Sequence, residues 1–253
     1  MNIAALIPAR YASTRLPGKP LAIIGSKPMI QWVYERVNTV FEHTYVATDD
    51  ERIAQAVGDF GGRYVLTSPD ARSGTDRCAE AINTLEHNGH GPFDVVINIQ
   101  GDEPFISTEP LRCVAAAFEQ PQVDIATLVK RFGSADDIFS PNTPKVVLNL
   151  QGEAIYFSRS VIPHIRGMEP ELWQHKHLFY KHIGLYAYRA NVLRRVAALP
   201  QSALERAESL EQLRWIEHGL RIKAIETDVE SLAVDTPADL ERARAEASRL
   251  GWT

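Results

Sequence analysis

The sequence is poor in cysteine. Cys78 and Cys113 are the only two in 253 residues, far apart and without C-x-x-C spacing. That scarcity argues against a disulfide framework or a thiolate zinc site and suits a reducing compartment. Long apolar runs are missing as well. No stretch approaches the ~20 residues of a membrane span, and the N-terminus lacks the pattern of a secretory signal. Positive charge is not in excess: the formal net charge is −5. This speaks against a nucleic-acid partner but leaves room for a local basic patch. Two glycine fingerprints are absent, G-x-x-x-x-G-K-[ST] and G-x-G-x-x-G, so neither a Walker loop nor a Rossmann dehydrogenase is indicated. These absences lead us to expect a soluble cytoplasmic protein with no stable membrane anchor.

What is present is a large apolar fraction, 45% of the chain, enough for one large α/β domain or two closely associated ones. Strand and helix signals alternate through the first half. "IAALI", "TYVAT", "RYVLT" and "FDVVINIQ" read as strands. "KPMIQWVYERVNTV", "DDERIAQAVGDFGG", "GTDRCAEAINTLEHNG" and "STEPLRCVAAAFEQ" read as helices. This βαβα rhythm predicts a doubly wound sheet. It changes near residue 124. "DIATLVKR" reads as a strand, "KVVLNLQGEAIYFS" as a hairpin about Gln151-Gly152, and "KHIGLYAYR" as another strand. "ALERAESLEQLRWIEHG" reads as one helix ended by Gly219, and "RIKAIET" as a strand. A last helix follows Thr236. A single domain over residues 1–253 is expected, with one part at about 1–123 and 220–253 and a second, packed part at about 124–219.

Several stretches carry candidate chemistry. "IPARYASTRLPGKPL" sets Arg10, Arg15 and Lys19 beyond the first strand. Ligands of open α/β sheets bind there, and such charge suits a polyphosphate; a solvated basic loop is the alternative. "INIQGDEPF" ends a buried-looking strand in Asp102, which can ligate a hard cation such as Mg²⁺ or serve as an N-cap or turn residue. "SLAVDTPADL" sets Asp235 before a helix, as a second ligand or a helix-start residue. "SGTDR" can bind an anion or a base edge at a helix N-terminus, or simply cap it. Glu208, Glu211 and Gln212 share one face of the expected helix and can take sugar hydroxyls or face solvent. His182 and Tyr186 share one strand face, where a satisfied core histidine is the alternative to a binding role. Arg159 can grip a carboxylate bidentately or lie on the surface.

Taken together, "IPARYASTRLPGKPL", "VATDDERI", "SGTDR", "NIQGDEPF", "KVV", "YFSR", "HIGLYAYR", "ESLEQLR" and "VDTPADLE" resemble the 3-deoxy-manno-octulosonate cytidylyltransferase family. They occur in the family's order and span residues 1 to about 245. The resemblance implies a Rossmann-like nucleotidyltransferase sheet with a smaller mixed α+β dimerisation portion. It implies that CTP and the sugar acid KDO give CMP-KDO and pyrophosphate with Mg²⁺, for lipopolysaccharide synthesis, in a homodimer. It assigns Arg10, Ser13 and Lys19 to the triphosphate, Ser73, Arg77 and Gln100 to cytidine, and Asp102 and Asp235 to Mg²⁺. Arg159, His182, Tyr186, Glu211 and Gln212 are then expected to line the sugar-acid pocket. Two positions depart from the family's pattern, Ala233 and His164. A related sugar acid (8-amino-KDO or sialic acid) and a non-catalytic nucleotide-binding regulator are the alternatives.

Overall fold

A computed structural model describes residues 1–133 and 137–252. The chain forms two compact units, residues 1–112 with 231–253, and residues 113–230.

In the first unit, β1 (Ile3–Ala9) leads through the two-residue strands β2 (Ile23–Ile24) and β3 (Lys27–Pro28) to α1 (Met29–Asn38). Then come β4 (His43–Thr48), α2 (Glu51–Asp59), β5 (Tyr64–Leu66), α3 (Gly74–His87) and β6 (Val95–Asn98). β1 pairs in parallel with β4 on one edge and β6 on the other, and β4 pairs in parallel with β5. Ala4 to Ile7 and Val95 to Ile97 are wholly buried, as expected of strands covered on both faces. The chain runs outward from β1 to β4 and β5, then returns to β6 on the far side of β1. With right-handed crossovers, α1 and α2 cover one face and α3 the other. The reversal creates a switch point between the C-terminal ends of β1 and β6.

α4 (Thr108–Ala116) carries the chain toward the second unit. There follow β7 (Ile125–Arg131), β8 (Lys145–Leu148), β9 (Ala154–Ser158), α5 (Trp173–Lys176) and β10 (Tyr180–Arg189). α6 (Ala190–Ala197), α7 (Ala203–Glu208), α8 (Gln212–Glu217) and β11 (Ile222–Glu226) complete it. β7 pairs antiparallel with β10 and parallel with β11, while β8 pairs antiparallel with β10 and β9. The expected hairpin of β8 and β9 turns at Gly152, whose φ of +70° suits glycine.

The last helix, α9 (Pro237–Arg249), belongs to the first unit. Thr236 accepts from the Asp239 N–H, the Asp239 carboxylate accepts from the Thr236 N–H, and Pro237 takes the first turn. Val234, Leu240, Ala243 and Ala247 pack with Ile24 and Met29. Trp252 stacks on Trp32 at 4.1 Å and on Phe105 at 4.6 Å. The Val234 N–H also donates to the Asp102 carbonyl at 2.9 Å. These contacts bring the segment before α9 back beside the start of the chain.

One expectation needs correction. The single helix expected over residues 203–219 is two helices, broken where Ser209 adopts φ 51° and ψ 47°. Tertiary contacts of Glu208 outweigh helical propensity there, because its carboxylate is held by Ser158 and by the Arg159 backbone. Glu208, Glu211 and Gln212 therefore do not share a helical face. The break also sets the register of α8, in which Leu213 and Trp215 are wholly buried. β10 forms as the expected strand. Its pairing with β7 slips between Ile183 and Tyr186, so two extra residues bulge out.

A non-glycine residue in the left-handed region costs about 1 kcal/mol that glycine avoids. Ser209→Gly is therefore expected to raise the unfolding free energy by up to about 1 kcal/mol, read as a higher urea midpoint, and Ser209→Val to lower the midpoint. Equal midpoints in both variants would contradict the break as described.

Candidate active site

The switch point of the first unit opens into a cavity of about 290 Å³. Two glycine positions shape its rim. At Gly101 a Cβ would come to 3.0 Å from the Pro8 carbonyl oxygen, so a side chain there would crowd the turn after β6 against β1. Gly18 has φ +69° and donates to the Tyr11 carbonyl at 3.0 Å, folding the basic loop back on itself. Its Cβ would also press on the Tyr11 ring, at 3.1 Å.

That fold aims Lys19 inward. Its ammonium lies 2.6 Å from Asp102 Oδ2 and 3.0 Å from Asp235 Oδ1. Its side chain is only 15% exposed. Burial works against the ammonium, but the two carboxylates outweigh it, and the Lys19 pKa sits above the ordinary lysine value. Asp235 is available for this because Thr236, not Asp235, caps α9. Asp102 is likewise no helix cap, since α4 begins six residues later at Thr108. Arg15 reaches Asp235 at 3.2 Å from a more exposed position.

Arg10, Ser13, Ser73, Arg77 and Gln100 line the same cavity. Arg10 is exposed at the end of β1. Ser13 accepts from the Leu16 N–H at 3.3 Å, and Ser73 caps α3 by accepting from the Asp76 N–H at 3.1 Å. The first turn of α3 thus borders the cavity with the positive end of its dipole. Arg77 is nearly buried and held by Thr67 and by Asp49, 3.3 Å away. Arg72 also lines the cavity and escaped sequence reasoning; a basic residue directly before a helix cap was the available signal. Among the described residues that line the cavity, Arg10, Arg15, Lys19, Arg72 and Arg77 thus outnumber the carboxylates, Asp102 and Asp235. Such a balance suits a polyanion accompanied by a hard cation.

The remaining candidates lie in the second unit. His182 and Tyr186 are four residues apart, which an unbroken strand would spread over about 13 Å. The bulge at Gly184 and Leu185 instead places them opposite Val129 and Thr127, two positions apart. Their rings are 5.2 Å apart. A lone glycine inside a strand pattern is the sequence signal for this bulge. Thr127 donates its single hydroxyl proton to the Leu185 carbonyl at 2.8 Å, so it accepts from His182 Nε2 at 2.9 Å. His182 is therefore the Nε2–H tautomer, leaving Nδ1 as an acceptor. Burial lowers its pKa to about 4, keeping it neutral near pH 7. Burial also pushes the Tyr186 hydroxyl well above its usual value, so it stays protonated.

Arg159 donates Nε to the Glu208 carbonyl at 2.7 Å, Nη1 to the Pro141 carbonyl at 3.0 Å and Nη2 to the Ser209 carbonyl at 3.3 Å. Glu211 accepts from Arg214 Nη2 at 2.7 Å. Gln212 is buried, and its Nε2 has no hydrogen-bond partner among the described residues.

A family model described as cytidylyltransferase matches residues 4–223. A 3-deoxy-manno-octulosonate cytidylyltransferase of Parabacteroides distasonis is 57% identical, over 97% of this chain and 98% of its own. One of Bacteroides thetaiotaomicron is 56% identical over 96% and 97%. Among solved structures, a CMP:2-keto-3-deoxy-manno-octonic acid synthetase complexed with CTP is 42% identical. It covers 99% of this chain and 100% of its own, with a TM-score of 0.88. By sequence and by fold, the chain belongs to the cytidylyltransferase family, among its 3-deoxy-manno-octulosonate cytidylyltransferases.

Proposed function

We propose that the protein activates the sugar acid KDO: CTP and KDO give CMP-KDO and pyrophosphate. The observation that carries this reading is the cation-rich cavity around the Asp102–Lys19–Asp235 contact. Its support from outside the chain is the resemblance to a synthetase complexed with CTP.

The anomeric hydroxyl oxygen of KDO would attack the α-phosphorus in line. The bond to the β-phosphate would break, and its electrons would leave with pyrophosphate. The hydroxyl proton would pass to solvent. Arg10, Ser13 and Lys19 would hold the triphosphate and stabilise charge growing on the leaving group. Ser73, Arg77 and Gln100 would face the cytidine. Arg159 would take the sugar carboxylate with its remaining donors. His182 Nδ1 would accept from a sugar hydroxyl, and Tyr186 would donate to one. Glu211 and Gln212 would fix the remaining hydroxyls, a role suited to the unpartnered Gln212 amide.

Asp102 and Asp235 would hold Mg²⁺, which takes one or two protein carboxylates and completes its shell with phosphate and water. The donor set fits, because the two carboxylates already share one cation, the Lys19 ammonium. Bound there, the ion would supply charge to the phosphate oxygens and help ionise the attacking hydroxyl. Lys19 would then exchange its carboxylates for phosphate oxygens.

The setting we infer is lipopolysaccharide assembly in the cytoplasm. No helix among the described residues is long and apolar enough to cross a membrane. We infer a homodimer as well, supported by the exposed apolar side chains Ile155, Leu172 and Leu178 of the second unit. Sedimentation at micromolar concentration is expected to give one species of twice the chain mass; a monomer would end that part of the reading.

Pyrophosphate release is expected to require CTP and KDO together. Asp102→Ala and Asp235→Ala are expected to slow it on the order of 100-fold or more while leaving the melting temperature in place. Release with sialic acid or 8-amino-KDO but not KDO would correct the acceptor. CTP binding without release under any acceptor would favour a regulator over an enzyme.

A further inference from the structure

Lys145 opens the Lys-Val-Val stretch of β8, and the chemistry above gives it no role. Its side chain is wholly buried. Its ammonium donates to two carbonyls, Ser140 at 2.7 Å and Arg159 at 2.6 Å. Among the described residues no carboxylate pairs with it. Burial accordingly pulls its pKa below the ordinary lysine value, with Asp137 and Glu208 offsetting part of the effect. An apolar side chain of similar length would avoid burying this charge. The ammonium is therefore explained by what it holds.

It holds Arg159 from two directions. One acceptor is the carbonyl of Arg159 itself. The other belongs to Ser140, next to Pro141, whose carbonyl takes Arg159 Nη1 at 3.0 Å. Glu208 closes the frame from the other side. Its carboxylate accepts from Ser158 Oγ at 2.6 Å and from the Arg159 backbone N–H at 2.9 Å. The left-handed turn at Ser209 presents two successive carbonyls, those of Glu208 and Ser209, to the guanidinium. Arg159 is thus fixed at its backbone N–H, its carbonyl and three of its five side-chain donors. Every side-chain acceptor is a neutral carbonyl, so the positive charge remains without an ion-pair partner among the described residues. A rigid guanidinium with two donors left over is a preorganised anion receptor.

We infer that Lys145 is a positioning residue, which together with Glu208 and Ser209 aims the two remaining donors of Arg159 at the carboxylate of the sugar acid. This rests on the reading of Arg159 given above. The test is steady-state kinetics with CTP and KDO for Lys145→Met, Arg159→Ala, the double variant and Glu208→Gln. Lys145→Met is expected to raise the KM for KDO roughly 10- to 100-fold while leaving the KM for CTP within about twofold. In the Arg159→Ala background it is expected to add nothing, since both changes remove one interaction. Glu208→Gln, which leaves an acceptor in place, is expected to act in the same direction more weakly, and it decides the matter if Lys145→Met does not fold. Unchanged KM for KDO in Lys145→Met and Glu208→Gln, or effects that add fully to Arg159→Ala, would overturn the inference. An Arg159→Ala variant with normal KM for KDO would also overturn it, and would leave the nucleotide reading standing. Wild-type protein inactive on KDO would instead point to the proposed function itself.

Discussion

One ammonium ties the first unit's site together. Lys19 bonds to Asp102, 83 residues away, and to Asp235, 216 residues away. Two carboxylates brought this close repel each other unless a cation lies with them. The surrounding structure serves that convergence. Gly101 lets the turn after β6 pass β1, and the Thr236–Asp239 box caps α9 so that Asp235 need not. The Trp252 stack and the Val234–Asp102 backbone bond bring the last segment back to the first loop.

Two buried lysines illustrate how environment assigns a role. Lys19 sits against carboxylates, and its pKa rises; Lys145 sits against carbonyls, and its pKa falls. The first is a cation among exchangeable partners, suited to pass between carboxylates and phosphates. The second is a fixed strut, with neutral acceptors and no solvent contact. The same contrast separates Arg77 from Arg159. Arg77 is paired with Asp49, whereas the Arg159 guanidinium, among the described residues, is held by carbonyls and has no ion-pair partner.

The strands and caps of the first unit were legible because local rules govern them. Continuous apolar runs mark β1 and β6, and Thr-Pro followed by Asp239 marks the start of α9. The motif at Asp102 was legible as a strand end leading into a turn, though a cap role stayed open until the structure showed that α4 starts later. The second unit was harder to read. The break at Ser209 answers to Glu208 gripping Ser158 and Arg159, some 50 residues away in sequence. The double bulge in β10 answers to its pairing with β7, and no periodicity in "KHIGLYAYR" reveals it. Long-range contacts of this kind override local propensity.

The central claim is that Lys19 occupies the cation place between Asp102 and Asp235. The direct measurement is Mn²⁺ binding to nucleotide-free protein by electron paramagnetic resonance, for wild type and Lys19→Met. The account predicts weak binding in wild type and binding roughly tenfold tighter or more in Lys19→Met, because the competing charge is gone. Equal or weaker binding in Lys19→Met would contradict it.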